Sequence, residues 1–274
     1  MRALVLGASG QVGSELVRLL GDDAAVMHAQ VSITDANAIE DLLHRRKPDL
    51  VFNCAAYNSV DQAESEPELA MAVNGAGPAL LAAACARHGA MTVHFSTNFV
   101  FDGEAGRPYV ESDTPRPLSA YARSKLAGER GVIDADPRGL VLRTAAVYGY
   151  LGRSFPERIL AGARQTGELK VVSDQRINPT SATDLARAAL DLAIAGERGI
   201  VHAVASGCCA WDELAVAVLQ ECGVQARVSP IVSSERPAAA IRPRNGCLLS
   251  ERVSLLRPWR EALHEWARTA APNP

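Results

Sequence analysis

Aromatic residues make up only 5% of this 274-residue chain, and neither sign of charge dominates: 28 Lys+Arg stand against 31 Asp+Glu, a formal net charge of −3. Scarce stacking surface and a near-neutral balance exclude a protein built mainly to hold nucleic acid or an anionic membrane. Long apolar runs are lacking too. The longest, residues 76–86, contains Gly77 and Pro78 and falls short of the roughly 20 residues a bilayer-spanning helix needs, so no membrane segment is expected. Ahead of Gly7, Arg2 is followed by four apolar residues, too few for a secretory signal. The six cysteines (Cys54, Cys85, Cys208, Cys209, Cys222, Cys247) show no C-x-x-C spacing and lie in apolar stretches. Buried free thiols in a reducing compartment are the expectation, against a metal site or disulfides, and the expected location is cytoplasmic.

What is present is ordinary globular material, 48% hydrophobic and 22% charged, which excludes a disordered or fibrous chain. The length suits one large domain or a domain with a smaller companion. Ala3-Leu4-Val5-Leu6 reads as a strand buried on both faces, and a glycine turn and a helix with Leu16, Val17, Leu19 and Leu20 follow it. A second strand is expected over 24–27, and a helix capped by Thr34 or Asp35 carries Ile39, Leu42 and Leu43 up to Pro48. Further strands are expected over 50–54, 92–96 and 140–143, with helices over 66–88 and 121–133 between them. Such alternation predicts an α/β fold, a Rossmann-type doubly wound parallel sheet with a small C-terminal substrate-binding lobe. The expected division is a dinucleotide-binding domain over 1–148, with 178–204 returning to it, and a smaller lobe from 149–177 and 205–274.

Gly7-Ala8-Ser9-Gly10-Gln11-Val12-Gly13 directly follows the first strand and opens a helix. Glycines let the backbone turn tightly against a pyrophosphate, and the helix N-terminus directs free N–H groups and its positive dipole end at that anion. Glycine turns are common in folds without cofactor; the strand–turn–helix setting is what favours a dinucleotide. Around His28-Ala29-Gln30 there is neither the carboxylate that would bind a ribose 2′-hydroxyl nor an arginine for a 2′-phosphate, so the expected cofactor is NADPH, with NADH possible.

Tyr121-Ala122-Arg123-Ser124-Lys125 places a phenol and an ammonium at i and i+4 on one helix face. A phenol with a pKa of about 10 is a sluggish proton shuttle, and a neighbouring ammonium stabilises its phenolate. Ser96-Thr97 ends the preceding strand, where a parallel sheet presents ligand-binding groups. Taken alone, a Y-x-x-x-K is usually a surface pair. Here it follows that strand end by about 25 residues, in a chain that opens with the glycine turn, and carbonyl reduction is the better reading.

With these motifs the chain resembles the dTDP-4-dehydrorhamnose reductase family of extended short-chain dehydrogenases/reductases. The resemblance is carried by residues 7–13, Ser32-Ile33-Thr34-Asp35, Asn53-Cys54-Ala55-Ala56-Tyr57, Val60-Asp61-Gln62-Ala63-Glu64 and residues 96–103. It continues through 121–129, Leu142-Arg143-Thr144, Val147-Tyr148-Gly149 and Asn178-Pro179-Thr180 with Asp184-Leu185-Ala186, and thins after about Trp211. It implies reduction of a nucleotide-linked 4-keto-6-deoxy sugar by a nicotinamide hydride, with Thr97, Tyr121 and Lys125 as catalytic residues. It further implies that Gly7, Gly10, Gln11, Val12 and Gly13 hold the pyrophosphate, Ser32 and Ile33 lie toward the adenine, and Ala55, Ala56 and Tyr57 wall the cofactor, which Tyr121 and Lys125 also touch. Val60, Asn98, Phe99, Ala146 and Arg242 would then face the sugar nucleotide. A homodimer is left open.

The departures from the family pattern concern mainly the sugar, with Ser32 lying near the adenine. Asn98-Phe99 stands where Asp-Tyr is usual, Ala146 where a tryptophan is common, Ser32 for an aspartate, and Leu249 for another. A keto-sugar other than 4-dehydrorhamnose is therefore as strong an expectation, because unpaired buried hydroxyls are costly. The competing readings are a non-catalytic subunit, like the regulatory partners of methionine adenosyltransferase that share this fold, and a nucleotide-sugar epimerase. The retained Thr97, Tyr121 and Lys125 weigh against the first.

Overall fold

A computed structural model describes residues 1–26, 31–151 and 154–270 of the chain. The first half runs β1 (Ala3–Leu6), α1 (Gln11–Leu20), β2 (Ala25–Val26), α2 (Ala36–Arg46), β3 (Leu50–Asn53), α3 (Pro67–Met71), α4 (Gly77–Arg87), β4 (Met91–Thr97), α5 (Ala120–Ala135) and β5 (Leu140–Thr144). The second half runs β6 (Val147–Tyr148), α6 (Phe155–Thr166), β7 (Glu168–Val172), β8 (Arg176–Ile177), β9 (Thr180–Ser181), α7 (Ala182–Ile194) and β10 (Gly199–His202). It ends with β11 (Ala205–Ser206), β12 (Cys209–Ala210), α8 (Trp211–Glu221), β13 (Arg227–Ile231), β14 (Leu256–Pro258) and α9 (Trp259–Ala270).

Six strands form one parallel sheet in the order β2-β1-β3-β4-β5-β10. The strands read as continuous apolar runs because both faces are covered. Val5 and Phe52 point into the core shared with α1 and α7, while Leu4, Leu6 and Val51 point into the core beneath α2 and α4. The chain order reverses between β1 and β3, which opens a crevice at the carboxyl ends of those strands. A third core joins Leu160 of α6 and Leu214 and Val218 of α8 to Trp259, Leu263 and Trp266 of α9.

Local signals explain the ends of several elements. Asp35, not Thr34, caps α2, its carboxylate accepting from the Ala38 N–H at 3.0 Å. The second strand is shorter than 24–27, since Ala24 closes a 3₁₀ turn; Met27 and the His28-Ala29-Gln30 stretch lie outside the described residues. The expected single helix over 66–88 is α3 and α4 joined by a π-helical turn at Ala72–Ala76. Together they form a 21-residue body, Pro67–Arg87, long and apolar enough by length and composition to cross a bilayer, with half of its apolar stretch buried in this fold. That corrects the expectation that no segment reaches that length. The Pro- and Arg-rich stretch 224–245 contains a strand, β13, which pairs with β7.

The cysteine expectation is corrected as well. Cys208 and Cys247 form a disulfide, their Cα atoms 6.1 Å apart, a distance suited to a bridge. The two lie 39 residues apart in sequence, and local spacing says nothing about a meeting created by tertiary folding. Cys54, Cys85, Cys209 and Cys222 are free thiols.

Candidate active site

The ends of β3, β4 and β5 meet the glycine turn around a cleft of about 350 Å³, lined by Gly10, Gln11, Asn53, Ala55, Thr97, Tyr121, Lys125 and Thr144 among others. The three glycines differ in what they face. A Cβ on Gly7, where φ is +74°, would meet Ala55 N at 2.6 Å, and one on Gly13 would meet Gly7 O at 2.2 Å. Those two are required by the protein's own packing. A Cβ on Gly10 would meet only Gly7 O, at 3.3 Å, so its bareness leaves room in the cleft. Buried polar atoms with no hydrogen-bond partner among the described residues include Gln11 Oε1, Asn53 Oδ1 and Thr144 Oγ1, and all three residues line this cleft. A bare glycine turn at a helix N-terminus, with orphaned polar groups beside it, fits a dinucleotide.

Thr97 ends β4 and accepts from the Phe99 N–H at 3.2 Å while its hydroxyl donates to Asn98 Oδ1 at 3.3 Å. Tyr121 and Lys125 sit in the first turns of α5, which Ser119 caps by accepting from the Ala122 N–H. Glu64 adds a second anchor, accepting from the Ala120 N–H at 2.7 Å. Burial pushes the Tyr121 phenol up to about 12, with the Thr97 hydroxyl drawing it back in part. It therefore keeps its proton at neutral pH. Burial pulls the Lys125 ammonium down to about 8, opposed by the negative charge of Glu129. Lys125 Nζ donates to the Phe95 carbonyl at 2.6 Å; the ammonium reaches past the phenol to strand β4, although both residues share a helix face.

The remaining expected residues divide. Val12, Ala56 and Ala146 line the cleft. Ser32 and Ile33 do not: Ser32 Oγ pairs with Thr34 Oγ1, and the Ile33 side chain is core, close enough to Gly77 that a Cβ there would clash with it. Any cofactor contact from Ile33 is left to its backbone. Tyr57 packs against the cluster that holds Tyr121, and its hydroxyl donates to Glu66 Oε2 at 2.7 Å. Val60 packs in the apolar cluster of Ala63, Ala70 and Tyr121. Asn98 is buried and donates to the Gly246 carbonyl at 2.9 Å. Phe99 meets the Tyr121 ring edge-on, centroids 6.0 Å apart. Ala146 has φ +43°, a left-handed conformation that strains any residue with a Cβ.

A second cleft of about 710 Å³ adjoins Asn98, Phe99 and Arg242. Sequence reasoning missed most of its wall. Phe155 and Trp211 pack at 4.6 Å between ring centroids, with Arg158, Lys170 and Arg236 around them. Aromatic faces beside cations suit a base and phosphates. Arg242 forms a two-pronged ion pair with Asp61, at 3.1 and 2.7 Å, which holds the Asp61 carboxyl below its usual range.

Residues 1–271 match the family described as the RmlD substrate binding domain. The chain is 44% identical over 278 residues to a dTDP-4-dehydrorhamnose reductase of Mycobacterium tuberculosis, covering 96% of this chain and 91% of that one. It is 39% identical over 283 residues to a probable dTDP-4,6-dihydroxy-2-methyloxan-3-one 4-ketoreductase of Streptomyces antibioticus, covering 97% and 94%. In structure it is similar to a dTDP-4-dehydrorhamnose reductase from Bacillus anthracis in complex with NADP, with a TM-score of 0.93 and 29% identity, covering 97% of this chain and 98% of that one.

Proposed function

This chain belongs to the RmlD substrate binding domain family, and from that premise we propose how its cleft reduces a nucleotide-linked 4-keto-6-deoxy sugar. The chain is an NAD(P)H-dependent oxidoreductase of nucleotide-linked sugars. The carrying observation is that Gly10 to Gly13 of the glycine turn, Thr97, Tyr121 and Lys125 line one cleft although these segments lie far apart in the sequence.

Gly10, Gln11 and Val12 would hold the pyrophosphate at the N-terminus of α1, with Asn53 and Thr144 offering polar contacts. NADPH is the proposed form, because the stretch after β2 carries no carboxylate to repel a 2′-phosphate. The reduced nicotinamide, when bound, supplies the hydride to the keto carbon. Thr97 orients the carbonyl oxygen by its hydroxyl, and Tyr121, protonated at neutral pH, gives that oxygen its proton. Lys125, a buried cation, favours the phenolate left behind. Phe99 and Ala146 border the sugar, and the Phe155–Trp211 cleft takes the nucleotide. Residues 1–148 with 178–204 form the proposed cofactor domain, 149–177 and 205–274 the substrate lobe, and the cytoplasm is the proposed compartment.

The test is consumption of NADPH or NADH against a panel of nucleotide-linked 4-keto-6-deoxy sugars. Turnover of at least one member is expected. Tight cofactor binding with no turnover on any of them would overturn the proposal.

A further inference from the structure

Behind the cleft lies a charged cluster that the proposed chemistry does not use. Glu129 and Arg143 are almost wholly excluded from water, at 0% and 2% exposure. Arg143 Nε donates to Glu129 Oε1 at 3.0 Å and its Nη2 to Oε2 at 2.8 Å, while the Ser96 hydroxyl donates to Oε1. A fully buried ion pair is at best near break-even for stability against apolar side chains. Its placement suggests a different purpose. Glu129 is one helical turn beyond Lys125 on α5, Ser96 precedes Thr97 on β4, and Arg143 lies opposite Ser96 in the sheet register.

The surroundings leave Lys125 dependent on this carboxylate. From the end of β3 it faces Cys54, whose thiol burial pushes upward and so keeps neutral. From β4 it faces His94, which burial and the Lys125 charge hold neutral. On α5 it faces Tyr121 and Glu129. Beyond Arg143 on β5 lies His202 of β10, its Nδ1 2.8 Å from the Leu249 carbonyl and its Nε2 3.4 Å from Arg143. Burial pulls His202 down, against the pull of Glu111, whose carboxylate accepts from the His202 N–H. Among the described residues, Glu129 is thus the carboxylate whose charge supports the Lys125 cation, one helical turn away on α5.

We propose that Glu129, clamped by Arg143 and Ser96, is a positioning residue for proton transfer, keeping Lys125 charged and fixing α5 against the strand end that carries Thr97. The proposal rests on the reading of Tyr121 and Lys125 as the proton-transfer pair. The sign of its pH effect follows. Lys125 serves as a cation, so activity is lost as pH rises through its pKa, and removing the carboxylate lowers that pKa.

The test is kcat against pH, from 6 to 10, on a keto-sugar the parent reduces, alongside Tm. For Glu129→Gln the alkaline limb should move down by about one pH unit, roughly a tenfold rate loss above the limb. Glu129→Asp, which keeps the charge, should restore the parent profile even where it lowers Tm. Glu129→Gln with Arg143→Met leaves no unpaired buried charge, so it is read if the single variant fails to fold; it should show the same direction of shift. A merely structural role predicts lower Tm with an unmoved profile, and that outcome, in the single or the double variant, overturns the proposal. Tyr121→Phe run in parallel separates the two failures. If it is inactive while the profiles superimpose, only the role of Glu129 falls; if it stays active, the proton-transfer reading falls.

Discussion

Around the ends of β4 and β5, polar groups are buried and held by several partners each. Glu129 accepts three hydrogen bonds, and Asn74 bridges the Tyr57 backbone to the Ser124 hydroxyl on α5. Across the second cleft, the tie between Asp61 and Arg242 is an ion pair half open to water, with Asp61 48% exposed. The difference teaches where each kind of change can be tolerated. Groups that transfer a proton must stay within a few tenths of an ångström, and buried bonds supply that. Phe99 and Ala146, the residues proposed to border the sugar, are held mainly by apolar packing, so exchanges there reach the reacting groups chiefly through the edge-on contact of Phe99 with the Tyr121 ring.

If that contrast is right, changes on the reaction side cost most. Lys125→Met should lower kcat by about 10²–10⁴-fold, measured in steady state with saturating cofactor. Gly10→Val should raise the cofactor Kd at least about tenfold in calorimetry with little change in Tm. Gly13→Ala, whose Cβ would meet Gly7 O at 2.2 Å, should lower Tm itself. Equal Tm losses for the two would break the assignment of Gly10 to the ligand rather than the fold. On the sugar side, Phe99→Tyr with Ala146→Trp should shift relative kcat/KM toward the 4-dehydrorhamnose nucleotide by roughly tenfold, the effect of about one good polar contact. An unchanged ratio would move specificity to the stretch around Arg242. The smallest effect is expected of Asp61→Asn, about 0–1 kcal/mol in stability, because an exposed pair is screened; thermal melts at low and high salt would show it.

Legibility in the sequence follows the same division. The turn at residues 7–13, a helix cap at Thr34 or Asp35 and the i, i+4 placement of Tyr121 and Lys125 are local, and periodicity and capping chemistry reveal them. What escaped was made mostly by distant segments. Ile33 looks like a site residue in its motif, but the close approach of Gly77 turns its side chain into core. The Tyr57 hydroxyl is taken by Glu66, and the Asn98 amide by a carbonyl 148 residues away. The Cys208–Cys247 bridge and the Phe155–Trp211 wall likewise join elements that no local spacing connects.

The most direct measurement is kcat of Tyr121→Phe on a keto-sugar the parent reduces, with cofactor Kd determined in parallel. The variant keeps the ring that packs against Phe99 and loses only the hydroxyl. A loss of about 10²–10⁴-fold in kcat at nearly constant Kd is predicted. Turnover near that of the parent would contradict the assignment of Tyr121 as the proton donor.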